Sequence, residues 1–294
     1  MEIVQPSIGF IGLGVMGGPM ARHLTANGFV TTVYNRSPQK VAKWLEDNSA
    51  NVAKTPSEAA KNANFVISCV GNDDDLKEVT LGPNGALRSM ASGSVYIDHS
   101  TTSADVAREI AEYASRQNVS FIDAPVSGGQ AGAEQGALSV MCGGEQQAFD
   151  LAKPVISTYA KACTLMGPVG SGQLTKMVNQ ICIAGLLQGL SEGLNFGLRA
   201  GLDMEAVIDV ISKGAAQSWQ LENRAKTMCR DEFDFGFAVE LMRKDLGIVI
   251  AEAKRQHASL PVTELVDTFY AELESQGHHR ADTSSLIKLL RATP

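Results

Sequence analysis

The chain has no C-x-x-C and no cluster of histidines with cysteines, and its five cysteines are scattered: Cys69, Cys142, Cys163, Cys182 and Cys229. An odd, dispersed set excludes a disulfide framework and a structural zinc site. It predicts reduced, mostly buried thiols in a cytoplasmic protein that needs no metal. Basic residues are in the minority, 25 Lys and Arg against 32 Asp and Glu, for a net charge of −7. With no long basic run, binding to nucleic acid or to an anionic membrane surface is not expected. Long apolar runs are also missing. Ile8 to Ala21 is broken by five glycines, and Glu2 stands where a leader peptide would be basic, so no signal sequence is expected. No stretch of about 18 uncharged apolar residues predicts a membrane span. Repeats and low-complexity segments are absent too.

What the chain does have is 294 residues, 44% of them apolar and 19% charged, with 28 glycines. That is material for about two packed domains with many tight turns. Up to the cluster Gly167-Pro168-Val169-Gly170-Ser171-Gly172, short β-branched runs alternate with amphipathic segments. Strands are predicted near 8–12, 29–35, 65–70, 95–98, 120–124, 138–142 and 164–166. Helices are predicted near 16–27, 38–47, 73–81, 103–117 and 145–159. Gly28 closes the first helix and Ser37 caps the second. This alternation predicts a parallel, doubly wound α/β sheet of Rossmann type. Beyond the cluster strand signals fade. A long apolar helix over 174–200, stopped by Gly201, is expected to be buried, with helices near 204–213, 219–228, 239–256 and 261–275 and a short one from Ser284. The domains expected are therefore 1–168, dinucleotide-binding, and 169–294, an all-α domain for substrate binding and oligomerisation.

Gly12-Leu13-Gly14-Val15-Met16-Gly17 is a G-x-G-x-x-G that follows a strand and opens a helix, the context in which it binds a dinucleotide. Gly12 permits the tight turn, Gly14 lets backbone approach a pyrophosphate, and Gly17 lets helix and strand pack closely. The free N–H groups of the helix start favour the phosphates. At the end of the second strand, where an acidic residue would accept the ribose hydroxyls of NAD, stand Asn35, Arg36 and Ser37. A cation flanked by two hydrogen-bonding side chains suits a 2′-phosphate, so NADP(H) is favoured, with NAD(H) as the other option.

Reduction with a nicotinamide also needs a proton donor. None of the five tyrosines has a lysine four residues on, which excludes the Tyr-x-x-x-Lys reductases, and no zinc-ligand set exists. Of the histidines only His99, after a predicted strand end, is placed for a site. Lys176 is the stronger candidate. It begins the long apolar helix, with Asn179 and Gln180 on its face one turn on and Gly172 leaving that face open. A cation there is costly without a task, and desolvation lowers an amine pKa toward a useful value. Asp123-Ala124-Pro125-Val126-Ser127-Gly128-Gly129 follows a strand at the carboxyl edge. Ser127 with the N–H groups of Gly128 and Gly129 can hold a substrate carboxylate. Lys244-Asp245 is a further charged pair on a predicted helix.

In this order, these four motifs resemble the β-hydroxyacid dehydrogenases over essentially the whole chain. That family includes 3-hydroxyisobutyrate dehydrogenase, tartronate semialdehyde reductase and the glyoxylate/succinic semialdehyde reductases. The resemblance implies that Lys176 is the general acid/base, assisted by Asn179. It implies that Ser127, Gly128 and Gly129 hold a small carboxylate substrate. Thr101 would contact the cofactor near the nicotinamide ribose, Lys244 would lie by the nicotinamide, and Trp219 would shape the substrate pocket. It also implies a homodimer or homotetramer paired through the helical domains. Two other readings share the architecture: an imine reductase, a group that usually replaces the lysine present here as Lys176, and a catalytically silent cofactor-binding sensor.

Overall fold

The computed structural model describes residues 6–291. Glu2 and the tail 292–294 lie outside them. The chain divides into two compact units, Met1–Lys176 and Met177–Pro294.

The first unit runs β1 (Ile8–Ile11), α1 (Gly17–Ala26), β2 (Thr31–Tyr34), α2 (Pro38–Leu45), β3 (Asn51–Val52), α3 (Pro56–Ala60), β4 (Phe65–Ser68), α4 (Asp73–Leu81), β5 (Val95–Asp98), α5 (Ala104–Ser115) and β6 (Ser120–Asp123). It continues through β7 (Val126–Ser127), α6 (Gly129–Glu134), β8 (Leu138–Gly143), α7 (Gln146–Ile156) and β9 (Ala160–Gly167). The sheet order is β3-β2-β1-β4-β5-β6-β8-β7, with β9 on β8. Period-2 alternation serves two cores, because both faces are covered by helices. Ile8, Phe10, Phe65, Ile67, Val95, Ile97 and Ile122 pack with Met20, Leu24, Val41 and Phe149 on one face. Ile11, Val66, Tyr96 and Phe121 pack with Leu76, Val106 and Ile110 on the other.

The expected parallel sheet needs correcting at one edge. β8 runs antiparallel to β6 and β7, while β9 is parallel to β8. The connection 128–137 is too short for a parallel crossover, which takes a dozen or more residues, so the chain returns antiparallel. Helix boundaries match the sequence reading within a few residues, and Gly28 takes the left-handed conformation after α1, at φ +84°. Ser37 occupies the N-cap position of α2 but its hydroxyl donates to Gln39 Oε1 instead of capping. Nor are the thiols mostly buried: Cys142 is buried, Cys69, Cys163 and Cys229 are half-buried, and Cys182 is exposed, none of them in a disulfide.

α8 (Ser171–Arg199) leads from the first compact unit into the second, the two units meeting in sequence at Lys176 and Met177. The second unit adds α9 (Met204–Ile211), α10 (Trp219–Cys229), α11 (Val239–Arg255), α12 (Pro261–Ser275) and α13 (Ile287–Arg291). Ala184 and Leu187 of α8 pack with Met242, Leu246, Val266 and Tyr270, and Leu194 packs with Met204, Ile208 and Leu221. The expectation that α8 is buried holds for part of the helix only, with Gln173, Lys176, Gln180 and Ser191 buried as well. Val178 is 60% exposed and Phe196 72%, with Leu186 and Leu198 also exposed. A helix of 29 residues is about 43 Å long, more than a small unit can cover on all sides. By length and composition alone α8 also reaches what a membrane span requires; Ala184, Leu187 and Leu194 serve the core of the second unit.

Candidate functional site

β1, β4, β5 and β6 end in register, with Ile11, Ser68, Asp98 and Asp123 side by side, so the loops after them share one carboxyl edge. The first of these loops is the glycine motif. Gly12 has φ +101°, and a Cβ there would lie 2.3 Å from the Cys69 carbonyl oxygen. A Cβ on Gly17 would lie 1.9 Å from the Gly12 carbonyl oxygen, so helix and loop touch backbone to backbone. Around Gly14 nothing stands within 4 Å. Gly14 and Val15 are exposed, Met16 is half-buried and Leu13 is buried. α1 begins with no side-chain cap and no acidic residue in its first turn. An open backbone cradle before an uncapped helix start fits a dinucleotide pyrophosphate.

Asn35 belongs to this loop's framework. Its Oδ1 accepts the Leu13 N–H at 2.9 Å and its Nδ2 donates to the Ser37 carbonyl at 3.2 Å. Arg36 points outward, 84% exposed, and pairs with Asp75 of α4 at 2.8 Å. Among the three residues after β2, Arg36 therefore carries the charge available to a ligand.

After β5, Asp98 Oδ1 accepts from the Ser68 and Ser100 hydroxyls, each at 2.7 Å. His99 is buried, with Nδ1 2.6 Å from the Ala124 carbonyl and Nε2 2.9 Å from the Tyr159 hydroxyl. Nδ1 must donate to a carbonyl, so Nε2 accepts from Tyr159. Burial pushes the imidazole down to about 4, against the bond to Ala124, which raises it. A neutral ring with both nitrogens engaged by protein groups suits a structural role and weighs against His99 as the proton donor. Thr101 follows, half-buried, just before α5.

Asp123 ends β6 and is fully buried. Its Oδ1 accepts the Gly170 N–H at 2.7 Å and its Oδ2 the Gln173 N–H at 2.9 Å. Burial pushes the carboxyl up to about 7, the backbone N–H groups pull it down, and Asp98 adds to the rise. Four residues on, Ser127 of β7 is half-buried, and Gly128 and Gly129, the N-cap and first residue of α6, both take positive φ, +132° and +61°. Gln173 also gives its side chain to this edge: Nε2 donates to the Ser100 carbonyl at 2.8 Å and Oε1 accepts the Thr102 N–H at 3.1 Å. Lys176, one turn along α8, is 8% exposed. Asp123 and Gln173 were not marked by the sequence; the only signal was an acid and an amide beside the glycines of two motifs.

In the second unit Asn179 donates to Gln180 Oε1 at 2.7 Å, and Gln180 donates to the buried Asp245 at 2.7 Å. Lys244 pairs with the same carboxylate at 3.1 Å. The structure thus joins Asn179 and Lys244 through two residues, Gln180 and Asp245. Trp219 belongs to a separate cluster. It opens α10, 45% exposed, with the Arg224 guanidinium 5.0 Å from its ring; Arg224 also lies over Phe235 and pairs with Asp282. Among the described residues no group of three or more His, Cys, Asp or Glu is gathered as a metal site.

Residues 7–167 match the family described as the NAD binding domain of 6-phosphogluconate dehydrogenase, and residues 170–290 that described as the NAD-binding domain of NADP-dependent 3-hydroxyisobutyrate dehydrogenase. An uncharacterized oxidoreductase of Shewanella frigidimarina is 58% identical over 96% of this chain and 97% of its own length. The mitochondrial 3-hydroxyisobutyrate dehydrogenase of Mus musculus is 31% identical over 97% of this chain and 87% of its own. Among solved structures, the Mycobacterium tuberculosis 3-hydroxyisobutyrate dehydrogenase with L-serine superposes with a TM-score of 0.89 at 27% identity, covering 98% of this chain and 100% of the other.

Proposed function

The chain belongs to the β-hydroxyacid dehydrogenase family and is an NAD(P)-dependent oxidoreductase of the 3-hydroxyisobutyrate dehydrogenase type, and we propose that it interconverts a small β-hydroxy acid and its aldehyde acid, with NADP(H) preferred and Lys176 as the general acid/base. The substrate class is that of 3-hydroxyisobutyrate, glyoxylate, and succinic or tartronate semialdehyde. The observation that carries the reading lies in the first unit. The open glycine cradle, the Ser127 loop and the anchored start of α8 with its buried Lys176 all belong to one carboxyl edge.

The cradle from Gly12 to Gly17 would hold the pyrophosphate, with Arg36 at the 2′-phosphate, Thr101 at the nicotinamide ribose and Lys244 by the nicotinamide. When bound, a nicotinamide dinucleotide supplies the hydride exchanged with the substrate's carbinol carbon. Ser127 and the N–H groups of Gly128 and Gly129 bind the substrate carboxylate and so orient the carbonyl. Lys176 gives a proton to the carbonyl oxygen in reduction and takes one from the hydroxyl in oxidation. Asn179, itself held by Gln180, assists that lysine, and Trp219 borders the substrate. The exposed apolar residues Val178, Leu186 and Phe196 along α8 support pairing into a dimer or tetramer. Five cysteines outside any disulfide support a reducing, cytoplasmic setting.

Steady-state assays with glyoxylate, succinic semialdehyde, tartronate semialdehyde and 3-hydroxyisobutyrate, each with both cofactors, test the reading. Turnover of at least one is expected, with kcat falling about 10²- to 10⁴-fold in Lys176→Ala while cofactor affinity is kept. Turnover of cyclic imines alone would move the assignment to imine reduction. Tight cofactor binding with no turnover of any compound would move it to a sensor.

A further inference from the structure

A proton-transfer lysine is only as well placed as the turn that carries it. The first N–H groups of a helix have no intrahelical acceptor, so its opening turn is the part most free to fray. In α8 that turn is held from outside by two side chains. The buried Asp123 carboxylate takes the N–H groups of Gly170 and Gln173, one on each oxygen. The Gln173 amide bridges the Ser100 carbonyl and the Thr102 N–H. The carboxylate sits in a space made by two glycines. A Cβ on Gly143 would lie 2.4 Å from Asp123 Oδ1, and one on Gly172 would lie 2.9 Å from Oδ2. Asp123 also starts the segment that leads, four residues later, to Ser127. One side chain thus sits at the root of both the carboxylate loop and the lysine helix.

We propose that Asp123 is a positioning residue for Lys176, its buried carboxylate fixing the first turn of α8 against the sheet edge with Gln173 as the second tether. The proposal rests on the reading of Lys176 as the proton-transfer group. Gln173 precedes Lys176 by three residues, about 4.5 Å along the axis and on nearly the same face, so a shift of that turn passes directly to the amine.

The test is a double-mutant cycle in the full-length enzyme, using the substrate the panel above turns over best. Asp123→Asn places an NH₂ where an oxygen accepted an N–H. It is expected to lower kcat about 10- to 100-fold, the effect of a misplacement on the order of 1 Å. NADPH affinity stays within about twofold, because the cradle is untouched. Amide hydrogen exchange at Gly170 and Gln173 speeds up, while β1 and α1 keep their protection. In the Lys176→Ala background the same substitution lowers kcat by less than about twofold, because its effect passes through the lysine. Equal fold-losses in both backgrounds would overturn the proposal, as would faster amide exchange with unchanged kcat. If Asp123→Asn does not fold, Gln173→Met decides by the same criteria, since it removes both tethers of the amide at similar length. A near-normal kcat in Lys176→Ala would overturn the reading of the lysine itself. A large loss there with additive effects overturns only the positioning role.

Discussion

On the proposed reading cofactor choice rests on Arg36, and the expected magnitude follows from what the guanidinium already does. It is 84% exposed and 2.8 Å from Asp75, whose side chain is 28% exposed. An ion pair in that setting is worth about 0–1 kcal/mol. A charge-assisted contact to a 2′-phosphate is worth about 1.5–3 kcal/mol. Exchanging one partner for the other leaves a net gain of about 0.5–3 kcal/mol, or about 2- to 150-fold in affinity for NADPH. Asn35 has less to offer, because its amide oxygen takes the Leu13 N–H and one of its two N–H groups goes to the Ser37 carbonyl. Arg36→Ala is therefore expected to weaken NADPH binding within that range and to leave NADH binding unchanged, and Arg36→Asp to weaken NADPH binding further. Asp75→Asn frees the guanidinium and is expected to tighten NADPH binding by up to about fivefold. Fluorescence titration of both cofactors at low and high salt reads all three variants, and the NADPH preference should shrink at high salt because the contact is exposed. An NADPH-to-NADH affinity ratio that stays the same in Arg36→Asp refutes the reasoning and leaves Arg36 as a surface residue paired with Asp75.

Two further substitutions separate binding from folding in the glycine cradle. Gly17→Ala forces its Cβ to 1.9 Å from the Gly12 carbonyl oxygen, and is expected to cost about 1–3 kcal/mol of stability as well as cofactor affinity. Gly14→Ala meets nothing within 4 Å; urea unfolding should change by less than about 0.5 kcal/mol while cofactor binding weakens, and equal destabilisation in the two variants would contradict the geometry. His99 gives a pH signature. Burial pushes its imidazole down from the ordinary histidine value of 6.5 to about 4, so protonation favours the unfolded chain. Its contribution is complete above pH 6.5 and is lost as pH falls from there toward 4, by up to about 3 kcal/mol. Urea midpoints measured across that window should slope less in His99→Gln; an unchanged slope would mean that another group titrates there.

The glycine cradle was legible in the sequence because it is local. Strand, turn and helix occupy consecutive residues, and Gly12 and Gly17 are required by contacts with the segment after β4 and within the loop itself. The long elements were legible for the same reason, since periods of 2 and 3.6 report which face is covered. β3, α3, β7 and α6 span two to six residues each and carry no readable period. The reversal of β8 was hidden because it depends on how a short connection closes. Ser127, Lys176, Lys244 and Arg36 could be picked out by residue type and neighbours, but their partners could not. Asp123 reaches Gly170 and Gln173 from 47 and 50 residues away, Gln173 reaches Thr102 across 71, and Gln180 reaches Asp245 across 65. Asn35, chosen as a cofactor ligand for its amide, is engaged by a backbone N–H 22 residues upstream. The exposed side of α8 follows the same logic, because how much of a helix is covered depends on what folds against it. Local order comes from steric preferences repeated residue by residue. A buried carboxylate or amide instead takes whichever donor or acceptor the packed chain brings to it, since leaving it unmatched away from water is costly.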